Sequence, residues 1–197
     1  MLIVGLTGGL ATGKSTVAAM FRRYGAMGID ADQISHGLLE KGNKCFGPVV
    51  KLFGKKILTK GNIDRKKLAA IVFNDSARLK SLCRILFPRI ERIVKRKIAL
   101  YRKRDGVLII DAPLLIEAGW RSFIDVLIVV KANRRLQVMR MKRRKTINHR
   151  EIIKRINAQM SMKEKLRLAD IVIDNRGSLI QTRKQTEVIW QKLTKKK

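Results

Sequence analysis

The sequence predicts an α/β protein whose core is a doubly wound parallel sheet of about five strands. Three observations carry that prediction: five short apolar runs, helical patterns between most of them, and a glycine-rich loop directly after the first run. The first run, Leu2–Leu6, lacks polar alternation, which is typical of a strand buried on both faces of a parallel sheet. The predicted strands are Leu2–Leu6, Met27–Asp30, Val107–Asp111, Val126–Val130 and Ile171–Asp174.

The first strand and the helix after it form the first βα unit. After the loop, Val17, Met20, Phe21 and Tyr24 recur at the spacing of one helix face, and Gly25 follows as a predicted C-cap. A strand, a glycine loop and a helix in this order are the start of an α/β fold.

The segment between the second and third strands, residues 33–105, is predicted to be helical throughout and to form an inserted substrate-binding region. Its helix candidates are Arg65–Phe73, Ala77–Leu86 and a separate helix that begins at Pro88, since proline is favoured in a first turn. Residues 134–160 contain the densest basic stretch and are predicted to form a helical lid. The chain, residues 1–197, is predicted to be a single domain, because domains commonly hold ~100–200 residues.

Composition limits the classes of function. Lys and Arg number 45 against 15 Asp and Glu, and the net charge of +30 attracts polyanions without choosing among nucleotides, nucleic acid and acidic membranes. Two distant cysteines and two distant histidines exclude a disulfide scaffold, a four-cysteine zinc site and a histidine-based metal site. No run approaches the ~20 apolar residues of a membrane span, and the first residues lack a basic leader. We therefore expect a cytoplasmic protein.

The loop after the first strand matches the phosphate-loop pattern Gly8-x-x-x-x-Gly13-Lys14-Ser15. Glycines let consecutive backbone N–H groups and the helix N-terminus face a phosphate. In this pattern Lys14 reaches the β- and γ-phosphates and the Ser15 hydroxyl helps to hold Mg²⁺. The motif predicts a nucleoside triphosphate site.

Three aspartates are candidates for chemistry at that site. Asp30 and Asp32 follow the second strand, and if the extended geometry persists, alternation puts both carboxylates on one side. There a carboxylate can accept the proton of an attacking hydroxyl, although Asp32 also fits a helix N-cap. Asp111 ends an apolar run as a Mg²⁺-supporting Walker B aspartate does, and it also fits a turn or N-cap.

Two arginines of the basic stretch, Arg140 and Arg144, are four residues apart and would share a helix face. Phosphoryl transfer needs cations beside the γ-phosphate, which basic helices over a site can supply. Any single arginine in so basic a stretch is also compatible with a solvated surface. Nucleic-acid binding is disfavoured because hardly any aromatic residue is interleaved to stack on bases.

The ordered set of motifs resembles the dephospho-CoA kinase family over almost the whole chain. The matching segments are Gly5–Thr16, Ile29–Asp32, Phe53-Gly54, Gly61–Arg65 with Leu68 and Phe73, Pro113–Glu117, Gln137-x-x-Arg140-x-x-x-Arg144 followed by Gln159, and Ala169–Gly177.

The resemblance implies ATP-dependent phosphorylation of the ribose 3′-hydroxyl of dephospho-CoA, with Mg²⁺ as cofactor and ATP and dephospho-CoA as partners. It implies that Asp32 is the catalytic base, that Lys14 and Arg140 act on the ATP phosphates, and that Asn175 lies near the adenine. The implied ATP-binding residues are Gly8, Gly9, Leu10, Ala11, Thr12, Gly13, Lys14, Ser15, Thr16, Arg144 and Asn175. The implied acceptor-binding residues are Thr7, Asp30, Asp32, Arg65, Pro113 and Leu114, and the implied metal ligands are Ser15 and Asp111.

Two positions depart from the family pattern. Ala11 stands where the loop often has a glycine, and Phe87-Pro88 replaces a usual His-Pro pair, which removes a polar group that could touch the acceptor. Because of Phe87, a second interpretation stays open, in which the protein is a P-loop kinase that phosphorylates another small hydroxyl acceptor. The +30 charge leaves a third interpretation open, a nucleic-acid-binding protein. Such a protein would bind nucleic acid tightly and with a steep salt dependence. A lysine-rich mutational bias explains the charge without an added function, and no specific nucleic acid or membrane partner is expected.

Overall fold

The computed structural model describes residues 1–143 and 148–195. Its strands are β1 (Leu2–Gly8), β2 (Met27–Asp30), β3 (Leu58–Thr59), β4 (Asn62–Ile63), β5 (Val107–Asp111), β6 (Val126–Lys131) and β7 (Ile171–Asp174). Its helices are α1 (Lys14–Arg23), α2 (Ala31–Leu38), α3 (Phe46–Phe53), α4 (Arg65–Val72), α5 (Ser76–Tyr101), α6 (Arg134–Arg143), α7 (His149–Asn157), α8 (Met162–Leu168) and α9 (Leu179–Lys195). Short 3₁₀ turns lie at Lys55–Ile57 and Trp120–Phe123. The chain divides into two compact units: one holds Met1–Asp30 and Lys97–Lys197, the other Ala31–Arg96.

The first unit contains a five-stranded sheet in the order β2-β5-β1-β6-β7, and every pairing in it is parallel. All five predicted strands are confirmed. β1 runs two residues further than predicted, because Thr7 and Gly8 continue the pairing with Val129 and Val130 of β6. The central strand therefore delivers the chain directly into the glycine loop at the carboxyl edge of the sheet.

The core of this unit forms between the sheet and helices α1 and α9. The strands β1 and β5 are almost wholly buried, as the unbroken apolar runs predict. Phe21 of α1 is fully buried, and the Trp190 ring of α9 lies 6.4 Å from its centroid and 6.2 Å from that of Tyr24. Truncation of a buried aromatic residue of this kind costs about 3–5 kcal/mol in the free energy of unfolding. The burial of Phe21 therefore holds α1 against this face of the sheet.

The second unit is mainly helical, but the prediction that residues 33–105 are helical throughout is wrong. Strands β3 and β4 form a small antiparallel hairpin, and Thr59 pairs with Asn62. The two turn residues between them, Lys60 and Gly61, have φ of 51° and 77°. Two positive φ values in a two-residue loop match the twist of a hairpin. Strands of two residues carry no periodic signal, so only the turn residues could have shown the hairpin.

Helix α5 also differs from the prediction of two helices separated at Pro88. It is one helix of 26 residues with Pro88 inside it. The apolar residues Leu82, Leu86, Ile90 and Val94 are buried at intervals of four and continue in phase across the proline. Pro88 itself is exposed, so the carbonyl that loses its intrahelical donor is not sealed in a core. Burial of the continuous stripe outweighs the local cost of the proline.

Among residues 1–143 and 148–195, no helix is both long enough and apolar enough to cross a membrane.

Candidate active site

The loop between β1 and α1 places a helix N-terminus at the carboxyl edge of the sheet. Helix α1 begins at Lys14, and its N-cap residue Gly13 has φ 95° and offers no side chain to cap the first turn. The first N–H groups of a helix lack intrahelical partners and carry partial positive charge. This arrangement suits an anion such as the phosphates of a nucleotide.

Glycine is required at two loop positions because other groups approach the backbone closely. A Cβ at Gly8 would lie 2.6 Å from the carbonyl oxygen of Val130 and 2.7 Å from the hydroxyl of Thr12. A Cβ at Gly13 would lie 1.9 Å from Nδ2 of Asn175. The motif glycines thus allow the loop to pack against β6 and against the residue that follows β7.

Ala11 occupies a turn position that favours glycine. The backbone N–H of Thr12 donates to the carbonyl of Gly9 at 3.3 Å, and the Thr12 hydroxyl donates to the same oxygen at 3.0 Å. This closes a four-residue turn in which Ala11 is third, with φ 56°. A positive φ at the third position of a turn is typical of glycine, so this departure from the family pattern leaves a strained residue in the loop.

Lys14 and Asp111 form an ion pair at the carboxyl ends of β1 and β5. Lys14 is the first residue of α1, and Asp111 is the last residue of β5, where it is 5% exposed. Asp111 is in register with Leu6 of β1 on one side and with Asp30 of β2 on the other. The structure therefore brings together a lysine and an aspartate that the sequence predicts for phosphate and Mg²⁺ chemistry.

Arg140 and Asn175 hold the phosphate loop by its carbonyl groups. Arg140 of α6 donates to the carbonyls of Ala11 (3.3 Å) and Thr12 (3.1 Å), and also to the carbonyl of Asn175 (2.9 Å). The Asn175 amide donates to the Thr12 carbonyl at 2.7 Å and accepts from the Thr182 hydroxyl at 2.7 Å. Arg140 therefore lies at the loop, where its two terminal nitrogens donate to backbone oxygens; its predicted contact with ATP phosphates stays a prediction.

The end of β7 is fixed by polar contacts that orient Asn175. The side-chain amide of Gln185 accepts from the Asp174 N–H and donates to the Asp174 carbonyl, both at 2.9 Å. The Arg176 side chain hydrogen-bonds the Asp174 carboxylate, and with Lys131 it lowers the pKa of Asp174 to about 2. The carboxylate is ionised at neutral pH, and the turn after β7 is held on both sides of Asn175.

A second cluster, which the sequence analysis missed, lies beside the start of the loop. Lys165 of α8 is fully buried and contacts Glu117 and the carbonyl of Pro113. Burial lowers the pKa of Lys165, Glu117 opposes that effect, and the positive charge of Lys14 lowers the pKa further. The predicted acceptor residue Thr7 also donates to the Pro113 carbonyl, at 3.1 Å. Lys165 gave no signal because it is one basic residue among 45.

The condition under which Asp30 and Asp32 would lie on one side, an extended geometry through both residues, is not met. Strand β2 ends at Asp30, and helix α2 begins at the next residue, Ala31. Asp30 ends a strand of the first unit, whereas Asp32 lies in the first turn of α2 in the second unit. A carboxylate in the first helical turn is favoured by the helix dipole.

The remaining predicted residues are distributed over both units. Ser15 and Thr16 are exposed in the first turn of α1, and Leu114 is half-buried after β5. Arg65 is exposed at the start of α4, whose N-cap Asp64 accepts from the N–H groups of Lys66 and Lys67. Arg144 lies outside the described residues. Leu10 donates its N–H to Oε1 of Gln159 at 3.0 Å, a contact that the sequence analysis did not anticipate.

The donors at the loop fit Mg²⁺ that arrives with a nucleotide. In the part of the chain that the structure describes, no group of three or more His, Cys, Asp or Glu side chains could hold a metal ion. Mg²⁺ is commonly held by one or two protein oxygens together with substrate phosphates. The Asp111 carboxylate and the Ser15 hydroxyl are oxygen donors of that kind, so the residues present suit a nucleotide-bound ion.

Comparison with solved structures defines the class of fold. A crystal structure of a Thermus thermophilus protein covers 98% of this chain and 97% of its own, with a TM-score of 0.79 and 31% identity. A shikimate kinase from Acinetobacter baumannii, solved with shikimate, covers 100% of this chain and 95% of its own, with a TM-score of 0.53 and 12% identity. The second likeness concerns the fold alone. The fold and the glycine loop define the P-loop NTPase class of fold.

The sequence comparisons then define the family. A family model described as dephospho-CoA kinase matches residues 2–181. A dephospho-CoA kinase from Symbiobacterium thermophilum is 43% identical over 97% of this chain and 81% of its own length. The chain belongs to the dephospho-CoA kinase family, whose reaction is the ATP-dependent phosphorylation of dephospho-CoA in coenzyme A synthesis.

Proposed function

We propose that this protein transfers the γ-phosphoryl group of ATP to the ribose 3′-hydroxyl of dephospho-CoA, which gives coenzyme A and ADP. Membership of the dephospho-CoA kinase family supports this reaction and this pair of substrates. The observation that carries it in the structure is the loop itself, which places Lys14 and the N-terminus of α1 at the carboxyl end of the central strand.

The phosphate loop binds the triphosphate in this proposal. Backbone N–H groups of residues 8–16 surround the phosphates, and Lys14 exchanges part of its contact with Asp111 for the β- and γ-phosphates. Ser15 and Asp111 would hold Mg²⁺, which would neutralise phosphate charge when bound. A lysine held by a buried aspartate keeps its ammonium group at the mouth of the loop before ATP arrives.

Asp32 is the proposed base that accepts the proton of the 3′-hydroxyl, and Asp30, Thr7, Pro113 and Leu114 are proposed acceptor contacts. The family motif supports the assignment to Asp32, and its place in the first turn of α2 leaves a carboxylate near a helix N-terminus. The proposal assigns further acceptor binding to the inserted segment, residues 33–105, through Arg65 at the exposed start of α4.

The lid, residues 134–160, supplies positive charge to the nucleotide. Arg140 already donates to loop carbonyls, and we propose that it exchanges them for phosphate oxygens when ATP binds. Arg144 is proposed to add a second cation. The buried Asn175, which contacts Thr12, is the proposed neighbour of the adenine.

We also propose that the protein works in the cytoplasm. In this structure Cys45 and Cys83 form no disulfide, which agrees with a reducing compartment. Cell fractionation with an antibody against the chain tests this location.

The test of function is ADP formation from ATP and Mg²⁺, measured with and without dephospho-CoA, with the product identified by mass. We expect turnover that depends on dephospho-CoA and a product heavier by one phosphoryl group. ATP binding without turnover on dephospho-CoA would contradict the proposed substrate. Competition with other hydroxyl acceptors would then show whether Phe87 has changed the specificity.

A further inference from the structure

Lys165 makes a complete set of hydrogen bonds in the interior of the first unit. Its Nζ donates to the Pro113 carbonyl at 2.8 Å and to the two carboxylate oxygens of Glu117 at 2.9 and 3.2 Å. The Lys165 side chain is 0% exposed, and that of Glu117 is 20% exposed. An ammonium group has three donors, so each has an acceptor.

This lysine occupies a place that is unfavourable for a cation. Helix α8 begins after a capping box formed by Ser161 and Glu164, and Lys165 follows directly in the first turns. The positive end of the helix dipole disfavours a cation there, and burial removes its hydration. A buried ion pair of this kind is often matched in stability by apolar residues of similar volume. Stability alone therefore does not account for Lys165.

The contacts of the pair lead to the residue before the phosphate loop and to Leu10 within it. The Pro113 carbonyl also accepts from the hydroxyl of Thr7 at the end of β1. Oε1 of Glu117 also accepts from the backbone N–H of Met160 at 2.9 Å. The preceding residue, Gln159, accepts from the N–H of Leu10 inside the loop. The segments after β5 and after α7 are thus tied to each other and to the loop.

We propose that Lys165, together with Glu117, is a positioning residue for phosphoryl transfer. The pair holds the Pro113 carbonyl against Thr7 and holds Gln159 against Leu10, so that the phosphate loop keeps its ATP-binding conformation. This inference rests on the proposed function for its turnover readout, but its effect on ATP binding is independent of the acceptor.

The main test is the double variant Lys165→Met/Glu117→Leu, which removes both charges and keeps apolar volume. We expect its urea midpoint to equal or exceed that of the wild type. Its kcat is expected to fall about 100-fold, as misplacement of a site by a distant change can produce. Calorimetry is expected to show a Kd for Mg²⁺·ATP raised about tenfold, which is about 1.4 kcal/mol. The control is Arg121→Met, which breaks an exposed ion pair with Asp170 and should change neither value.

A second variant, Gln159→Leu, removes only the acceptor for the Leu10 N–H and disturbs no buried charge. It is expected to raise the Kd for ATP in the same direction, by a smaller factor. If the double variant does not fold, Gln159→Leu alone decides, and an unchanged Kd and kcat would overturn the inference. A folded double variant with wild-type kcat and Kd would also overturn it. Wild-type protein that binds ATP without phosphorylating dephospho-CoA contradicts the proposed function, and the Kd comparison still tests the pair.

Discussion

Replacing Ala11 with glycine is expected to stabilise the protein. Ala11 is the third residue of the turn closed between Gly9 and Thr12, and its φ is 56°. An L-residue in this left-handed region places its Cβ too close to the backbone carbonyl, whereas glycine has no Cβ. The change removes one methyl group from a half-buried position and leaves the hydrogen bonds of the turn available.

The magnitude follows from two opposing terms. The left-handed conformation costs an L-residue about 1–2 kcal/mol, so removing the Ala11 side chain stabilises the folded state by about that amount. Glycine also raises the conformational entropy of the unfolded chain, which offsets about 0.4–1 kcal/mol of this stabilisation. The net free energy of unfolding should therefore rise by about 0.5–1 kcal/mol. With about 2 kcal/mol/M as the urea dependence, the midpoint should rise by about 0.2–0.5 M. The melting temperature should rise by about 1–4 °C for a chain of this size.

The assay is urea unfolding of Ala11→Gly followed by circular dichroism, with Gly25→Ala as the matched control. Gly25 has φ 103°, and a Cβ there would meet nothing within 4 Å, so the control measures the conformational cost without a steric clash. It should lower the midpoint by a similar amount. If Ala11→Gly lowers the urea midpoint while Gly25→Ala also lowers it, the strain argument is refuted.

Three further predictions concern the active site, an acid-sensitive carboxylate and a buried thiol. Lys14→Ala and Asp32→Asn should each lower kcat by about 10²–10⁴-fold in steady-state kinetics while circular dichroism stays unchanged, because they remove the phosphate cation and the proton acceptor. The pKa of about 2 at Asp174 contributes stability above the unfolded value of about 3.9, and that contribution is lost as the pH falls through about 2. Urea unfolding between about pH 5 and pH 2 should therefore show a smaller loss for Asp174→Asn than for the wild type, and equal losses would contradict the assignment. In a Cys83→Ser background, Cys45 should react with an aromatic disulfide far more slowly in the native state than in urea, because burial raises the pKa of its thiol; equal rates would show that the thiol is accessible.

The inner strands β5, β1 and β6 could be predicted from sequence because they are mostly buried on both faces, whereas the edge strands β2 and β7 are partly exposed. The inner strands are apolar runs, which are typical of strands buried in a parallel sheet. The hairpin at residues 58–63 could not be predicted in the same way, since its two-residue strands have no periodicity. The prediction of a separate helix at Pro88 was wrong because it relied on the preference of proline for a first helical turn. The buried apolar stripe of α5 continues across Pro88, and it is recognisable only over the whole helix.

The part of the candidate site that lies within one sequence motif was predictable. The contacts between residues far apart in the sequence were not. Gly8, Gly13 and Lys14 lie in one motif, so their proximity follows from the chain itself. The partners of the loop come from distant positions: Asp111 is 97 residues from Lys14, and Gln159 is 149 residues from Leu10. The sequence singles out Asp111 by its place after an apolar run, but it does not show that Asp111 contacts Lys14 or that Gln159 contacts Leu10; the fold brings these pairs together.

The strained turn gives these long-range contacts a common physical purpose. Ala11 raises the free energy of the loop conformation by about 1–2 kcal/mol, so the conformation needs contacts that compensate. Gln159 holds the N–H before Ala11, and Arg140 and Asn175 hold the carbonyls of Ala11 and Thr12. A neutral hydrogen bond contributes about 0.5–1.5 kcal/mol and one to a charged group about 1.5–3 kcal/mol. Two or three such contacts outweigh the strain, and here they come from α6, from the segment after α7 and from the residue after β7.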